Sequence, residues 1–156
     1  MAIEIEKKFL IKYIPLEHVK FSKHIKQGYI LSDKEKVIRI RKKGDEYFLT
    51  IKRNKIGISR YEFEYSIPEE DAAILFGEFC SSDIIEKTRH YIEHKNHLWE
   101  VDEFHGDNDG LIVAEIELLS EDETFDIPDW IDREVTSEKK YYNMNLVTNP
   151  FNKWVQ

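Results

Sequence analysis

A single cysteine, Cys80, stands in a chain of 156 residues, so no internal disulfide can staple the fold. A lone thiol fits a reducing compartment, and nothing in its surroundings marks it as a nucleophile. Long apolar runs are missing too. No stretch approaches the ~18 apolar residues of a membrane span, and the N-terminal Ile3-Glu4-Ile5-Glu6-Lys7-Lys8 carries no leader-like apolar region. A cytoplasmic protein without membrane contact is expected. Positive charge is in deficit: 23 Lys and Arg face 31 Asp and Glu, for a formal net charge of -8, which repels nucleic acid and anionic membranes. Internal repeats, low-complexity linkers and composition breaks are absent as well, so residues 1–156 read as one domain, with a homodimer left open.

Hydrophobic residues make up 41% of the chain, enough for a core, and aromatics 13%, which favours pleated, half-buried surfaces. Ile3, Ile5 and Phe9 alternate with Glu4, Glu6 and Lys8. The same period predicts strands over residues 36–41, 47–52, 60–67, 84–91, 98–104 and 111–118, with 27–31 as a further short one. Lys43-Gly44-Asp45, Lys55-Ile56-Gly57 and Gly106-Asp107-Asn108-Asp109-Gly110 punctuate these runs, so consecutive strands are expected to be antiparallel neighbours. After the acidic turn Glu69-Glu70-Asp71, the positions Ala72, Ala73, Leu75, Phe76 and Phe79 recur at helical intervals and predict an amphipathic helix over 68–80. Weaker helical patterns cover 15–23 and 136–146, and a short tail follows over 150–154. The expected class is α+β, mainly β.

The polar faces of the strands carry the chemistry. They present Glu4, Glu6 and Lys8; then Arg39 and Arg41; Lys52; Arg60, Glu62 and Glu64; Lys87 and Arg89; Glu100 and Asp102; and Glu115 and Glu117. Such a face is ordinarily the solvated side of a one-sided sheet. Like charges two residues apart, however, point to the same side and repel one another unless an opposite charge or bound ion intervenes. Acidic pairs suit a hard cation such as Mg²⁺ or Mn²⁺, and Arg and Lys pairs suit phosphate. Both together are the composition of a metal-assisted phosphoryl-transfer site. Closing eight strands would turn this face inward around a lumen wide enough for a small ligand, although periodicity alone does not show closure.

In order along the chain, Glu4-Ile5-Glu6-Lys7-Lys8, Gln27-Gly28-Tyr29, Arg39-Ile40-Arg41, Thr50-Ile51-Lys52, Ser59-Arg60-Tyr61-Glu62-Phe63-Glu64, Glu86-Lys87-Thr88-Arg89, Asp102 and Glu115-Ile116-Glu117 resemble the CYTH, or triphosphate tunnel, metalloenzymes. That family includes bacterial tripolyphosphatases, thiamine triphosphatases, class IV adenylyl cyclases and fungal RNA triphosphatases. The resemblance implies an antiparallel eight-stranded closed barrel, or tunnel, with a few flanking helices and a C-terminal plug helix. It implies metal ligation by Glu4, Glu6, Asp102, Glu115 and Glu117, with Glu62 or Glu64 in support. The phosphate clamp it implies is Lys8, Arg39, Arg41, Lys52, Lys87 and Arg89, joined by Arg60. Lys8 and Tyr29 resemble a pair placed near the reacting phosphate. The segment Thr136-Ser137-Glu138-Lys139-Lys140-Tyr141-Tyr142-Asn143 resembles the plug helix that contributes a basic residue, taken here as Lys140 rather than Lys139.

The implied reaction is hydrolysis of a small triphosphate, inorganic tripolyphosphate first, with Mg²⁺ or Mn²⁺ as cofactor. Metal and basic residues would neutralise the substrate while a carboxylate-bound water or second metal delivers the attacking oxygen. Class IV adenylyl cyclase and thiamine triphosphatase are alternatives, as is a barrel that binds polyphosphate without cleaving it. Glu115→Gln is expected to abolish activity at little cost in stability. His90, His94 and His97 do not read as a metal cluster, since His90 lies on the face opposite Arg89. Lys42-Lys43 does not read as a nucleic-acid patch, and Trp99, Trp130 and Trp154 read as core or plug packing.

Overall fold

Alternating strands separated by short turns pair with their sequence neighbours, and the computed structural model, which describes residues 2–55, 57–80 and 84–154, shows how far that pairing goes. Nine strands form one antiparallel sheet: β1 Ile3–Ile11, β2 Val19–Ser32, β3 Lys36–Lys43, β4 Glu46–Asn54, β5 Ser59–Ser66, β6 Ile84–His94, β7 His97–Phe104, β8 Ile112–Glu117 and β9 Ile131–Glu134. Ile56, in the expected connection between β4 and β5, lies outside the described residues. The order β5-β4-β3-β2-β6-β7-β8-β1 closes on itself where β1 pairs with β5 at Ile3↔Tyr61, Glu4↔Arg60 and Ile5↔Ser59. Eight strands therefore make a closed barrel. β9 is extra, and pairs with β1 further along, at Phe9↔Glu134 and Ile11↔Ile131. One edge of β1 thus passes from β5 to β9 in mid-strand.

Two expectations change. The helix expected over 15–23 is only a 3-10 turn, Leu16–His18, and β2 begins at Val19. Its first half is held by β6, with Val19 opposite Ile92 and the Phe21 ring stacked on Tyr91 at 4.4 Å between centroids. The helix expected over 136–146 divides into a 3-10 turn, Lys139–Tyr141, and a short helix α2, Asn143–Thr148. The helix over 68–80 is present as α1, Glu69–Ile74, continued by a π-helical turn, Leu75–Phe79.

The outward apolar face is covered in two places. Ala72, Leu75, Phe76 and Cys80 lie over Ile40, Leu49 and Ile84. Close approach there requires glycine at Gly28, because a Cβ would meet Cys80 Sγ at 2.7 Å and Ile84 Cδ1 at 2.9 Å. On the other side, the chain after β8 lays Phe125 and Trp130 over Phe9, Trp99 and Ile116, with Trp99 and Trp130 edge to face at 5.6 Å. Each fully buried large side chain there contributes about 1.5–3 kcal/mol, and Trp99 and Trp130 are core residues as expected.

The lumen is not charged throughout. Ile85, Phe104 and Val113 face inward with Lys87, Arg89 and Glu115 of the same strands, and with Tyr29, Leu111, Val135, Tyr141 and Leu146 they build an apolar end. The C-terminal segment closes this end as part of the core. Trp154 packs there on Tyr141 and Phe151, at 5.3 and 5.1 Å between centroids. Among the described residues no helix is long and apolar enough to cross a membrane.

Candidate functional site

Strand parity aims the alternate charges of seven strands into one chamber of about 190 Å³. Its lining includes Glu4, Glu6, Lys8, Arg39, Arg41, Lys52, Arg60, Glu62, Glu64, Lys87, Arg89, Glu115 and Glu117, together with Tyr29. A wider cavity of about 730 Å³ adjoins it, sharing Glu6, Lys8, Tyr29, Lys52, Arg60 and Tyr142, and is bounded by the β2–β3 and β4–β5 turns and the C-terminal segment. The chamber is therefore reached through a mouth.

Most cations in the chamber are partnered. Lys52 Nζ stands 3.0 Å from both Glu4 and Glu62. Lys8 Nζ stands 3.2 Å from Glu115 and 3.5 Å from Glu6. The Arg89 guanidinium donates to both Asp102 oxygens, at 2.7 and 2.9 Å, and to Glu100 at 2.8 Å, while Lys87 Nζ donates to Asp102 at 2.7 Å. The β3 arginines differ. Arg41 Nε donates to the neutral Gln27 Oε1 at 2.9 Å, and buried Arg39 Nε has no hydrogen-bond partner. Among the described residues neither arginine forms an ion pair.

The titration of the groups follows from this layout. Burial, reinforced by Glu115 and Glu4, pushes the Glu6 carboxyl up from 4.5 to about 8. Burial acts on Glu115 in the same direction, but Lys8, a hydrogen bond from Glu6 and Arg89 outweigh it and hold Glu115 well below the usual range. The two acids therefore keep one proton between them, on the Glu6 side. Lys8 remains an ammonium, since Glu115 and Glu6 outweigh the burial that would lower it. Burial lowers Arg41 to about 10, helped by Arg39 and Arg89, and lowers Lys87 to about 7 in spite of Asp102. Burial raises Tyr29 against the opposing pull of Arg39 and Arg41, so its phenol keeps its proton.

Two expected site residues lie away from the open chamber. Asp102 does not stand among the open carboxylates: it is 0% exposed, and its oxygens are taken by Arg89 and Lys87. It is the counter-ion that fixes two cations. Lys140 does not reach the chamber, because its ammonium lies over the rings of Trp154 and Tyr141, at 4.6 and 5.2 Å. Lys139 lines the mouth instead. Tyr29 and Lys8 both line the chamber, but the Tyr29 hydroxyl accepts from Gln27 at 2.7 Å rather than meeting Lys8. His90 sits outside the barrel between Ser22 and Glu103, as its parity implies. Gln27 and Asn143 were quoted only as motif positions, and their part in the site emerges from contacts across the barrel. No local sequence signal could have shown it.

For a divalent cation, the fit is chemical. Glu4, Glu6, Glu62, Glu115 and Glu117 are hard oxygen donors, and Glu6 and Glu117 are raised by burial first and by neighbouring carboxylates second, a repulsion that a cation would relieve. Among the described residues no three acidic, His or Cys side chains are already gathered as a ligand set. Lys8 and Lys52 each pair with two of these carboxylates.

The same architecture occurs in known proteins. The crystal structure of an inorganic triphosphatase superposes with a TM-score of 0.68 at 32% identity, covering 94% of this chain and 95% of that one. An inorganic triphosphatase of Acetivibrio thermocellus is 44% identical over 151 residues, spanning 97% of each chain. Another, from Nitrosomonas europaea, is 35% identical over 147 residues, spanning 92% of this chain and 95% of its own. With the CYTH domain matching residues 2–148 and the predicted strand motifs lining one closed barrel, the chain belongs to the CYTH domain family.

Proposed function

We propose that the protein hydrolyses inorganic tripolyphosphate to pyrophosphate and phosphate, and that Mg²⁺ or Mn²⁺ serves the reaction. The family's triphosphatases are metal-dependent, and two relatives named inorganic triphosphatase match nearly the whole chain. One observation carries the reading: Arg39, 7% exposed and without an ion pair among the described residues, lines the chamber beside Arg41. A buried cation lacking a counter-ion is costly, and a polyanionic phosphate chain is the partner that two guanidinium groups are shaped to bind.

In this reading Arg39, Arg41 and Arg89 hold the phosphate oxygens, with Lys52, Lys87 and Arg60 adding charge around them. Lys8, kept as an ammonium by Glu115 and Glu6, stabilises charge on the phosphate being displaced and does not act as a base. Tyr29, neutral and next to the arginines, offers a hydroxyl to the same oxygens. Glu4, Glu6, Glu115 and Glu117, with Glu62 and Glu64 in support, would hold a divalent cation, which would supply Lewis-acid neutralisation of the phosphate oxygens. The barrel wall excludes bulk water and so strengthens each of these interactions.

An organic triphosphate, as in an adenylyl cyclase or a thiamine triphosphatase, is a second reading that rests on the mouth. Val37, Ile58, Met144 and Val147 line it and offer apolar surface to a ring system. Phosphate release from tripolyphosphate, ATP and thiamine triphosphate, each with Mg²⁺ or Mn²⁺, decides between them. Tripolyphosphate is expected to turn over fastest. Silence with all three would leave a binding barrel, and cyclic AMP from ATP would make it a cyclase.

A further inference from the structure

The C-terminal segment meets the phosphate-binding wall through a short chain of side chains. Asn143, the first residue of α2, accepts at Oδ1 from Lys87 Nζ at 2.9 Å and from Gln27 Nε2 at 3.3 Å. Gln27 is 0% exposed in the barrel wall, and each end of its amide is engaged. Its Nε2 donates to the Tyr29 hydroxyl at 2.7 Å as well as to Asn143, and its Oε1 accepts from Arg41 Nε at 2.9 Å. The amide orientation is fixed by this set: turned over, its NH₂ would face the Arg41 donor and its oxygen would face the Asn143 oxygen. Lys87 continues the chain to Asp102, and Asp102 to Arg89.

We propose that Gln27 and Asn143 are positioning residues of the phosphate clamp: Asn143 fixes Gln27 and Lys87, and Gln27 in turn aims the Arg41 guanidinium and the Tyr29 hydroxyl into the chamber. This rests on the triphosphatase reading for the ligand, but not on its chemistry. An arginine bound through Nε by a neutral acceptor keeps its full charge for the ligand and presents its terminal nitrogens in one direction, whereas a carboxylate there would compete with phosphate. Arg39, on the same strand face, has no such acceptor at Nε. β3 therefore holds one arginine anchored at Nε and one that is not. The aim depends on a residue from the far end of the chain, so the plug sets the geometry of the clamp besides closing the apolar end.

Gln27→Met and Asn143→Leu keep side-chain bulk while removing these bonds. Each is expected to raise KM for tripolyphosphate about tenfold with kcat moved less than about threefold, the size of one lost hydrogen bond to a charged group. Structural damage alone would lower the active fraction, and hence kcat, and leave KM in place. Asn143→Asp keeps an acceptor for both donors and is expected to restore KM to within about threefold of the unsubstituted protein. The double variant is expected to cost little more than the worse single one, because both act through the same chain of bonds. Calorimetric titration of each protein with tripolyphosphate separates the two readings. If the unsubstituted protein binds but cleaves nothing, the triphosphatase reading falls, and the positioning role is still decided by the change in Kd. Unchanged KM and Kd in both variants, an Asn143→Asp as damaged as Asn143→Leu, or an unsubstituted protein that does not bind tripolyphosphate would each overturn the proposal.

Discussion

Two walls of the same chamber solve opposite problems. On β1 and β4–β8, carboxylates and cations pair with one another: Lys52 with Glu4 and Glu62, Lys8 with Glu115 and Glu6, and Arg89 with Asp102 and Glu100. On β3, Arg39 and Arg41 face the lumen and form no ion pair among the described residues. The first wall is held together by its own charges, and removing a member leaves its partner stranded. The second is complete only with an anion from outside. Charges paired within the protein and the two arginines left without an ion pair are thus separated by strand, and substitutions can test whether that separation holds.

The largest effect is expected from Asp102→Asn. It leaves Arg89 and the fully buried Lys87 facing a neutral amide, and breaking a buried pair in this way costs about 3–5 kcal/mol. Chemical denaturation would show it as a lower midpoint. An unchanged midpoint would remove the distinction between the walls. Next comes Arg39→Leu, expected to weaken tripolyphosphate binding by ~10²–10³-fold, as for a desolvated charge contact. The midpoint should hold or rise, because an unpaired buried charge is removed; a fall would mean that Arg39 belongs to the self-supporting wall.

A finer comparison sets Glu6 against Glu115. From the sequence, Glu115→Gln reads as harmless to the fold, but Glu115 faces Lys8 at 3.2 Å and Arg89 at 3.7 Å. Losing it should therefore cost about 1–3 kcal/mol in the metal-free protein. Glu6→Gln should cost almost nothing near pH 7, since the Glu6 carboxyl, raised to about 8, is already largely protonated there. Thermal melts of both without metal test the order, and the reverse ranking would move the strained proton to Glu115.

The smallest effect is a pH slope. Glu6 holds its proton more tightly folded than unfolded, so its contribution to stability is complete below 4.5 and is lost as pH rises through about 8. From 4.5 to about 7 the metal-free protein should lose stability, with Glu117, also raised, acting in the same direction, while above about 7 the lowered Lys87 opposes that loss. Asp102 and Glu115 are lowered and act the other way, but only under more acidic conditions. A divalent cation that displaces the shared proton should therefore raise the melting temperature more at about pH 9 than at about pH 5. An equal gain at both pH values would mean that the metal does not meet this carboxyl pair.

Strands and charge parity were legible in the sequence because they are local. Glu4, Glu6 and Lys8, or Arg39 and Arg41, share a face whatever they pair with. Closure was not, since it depends on Ile3–Ile5 meeting Ser59–Tyr61 across the ring. The first half of β2 was misread because Phe21 points to a half-exposed stack with Tyr91 and blurs the alternation. β9 is four residues long with three of them exposed, too little for any period to register. The apolar end of the lumen did leave a trace: Ile84 with Ile85, and Val113 with Ala114, put apolar residues on both faces of β6 and β8, as strands buried on two sides do. For Asp102 and Lys140 the family resemblance pointed to the chamber, but contacts from β6 and from the tail hold both side chains elsewhere, and those contacts are not local in the sequence.

A cylinder laced by hydrogen bonds around its whole girth can widen only by tearing a ladder. This one has a clasp. Where β1 leaves β5 and takes up β9, the backbone of Lys8 is held by Val135 N, which donates to its carbonyl at 2.8 Å, and by Thr136 Oγ1, which accepts from its N–H at 3.1 Å. Two hydrogen bonds to one loop thus stand where a continuous strand pair would otherwise run. The residue they fasten is the same one whose ammonium pairs with both Glu6 and Glu115, so the closure of the ring and the charge balance at its centre meet at a single residue.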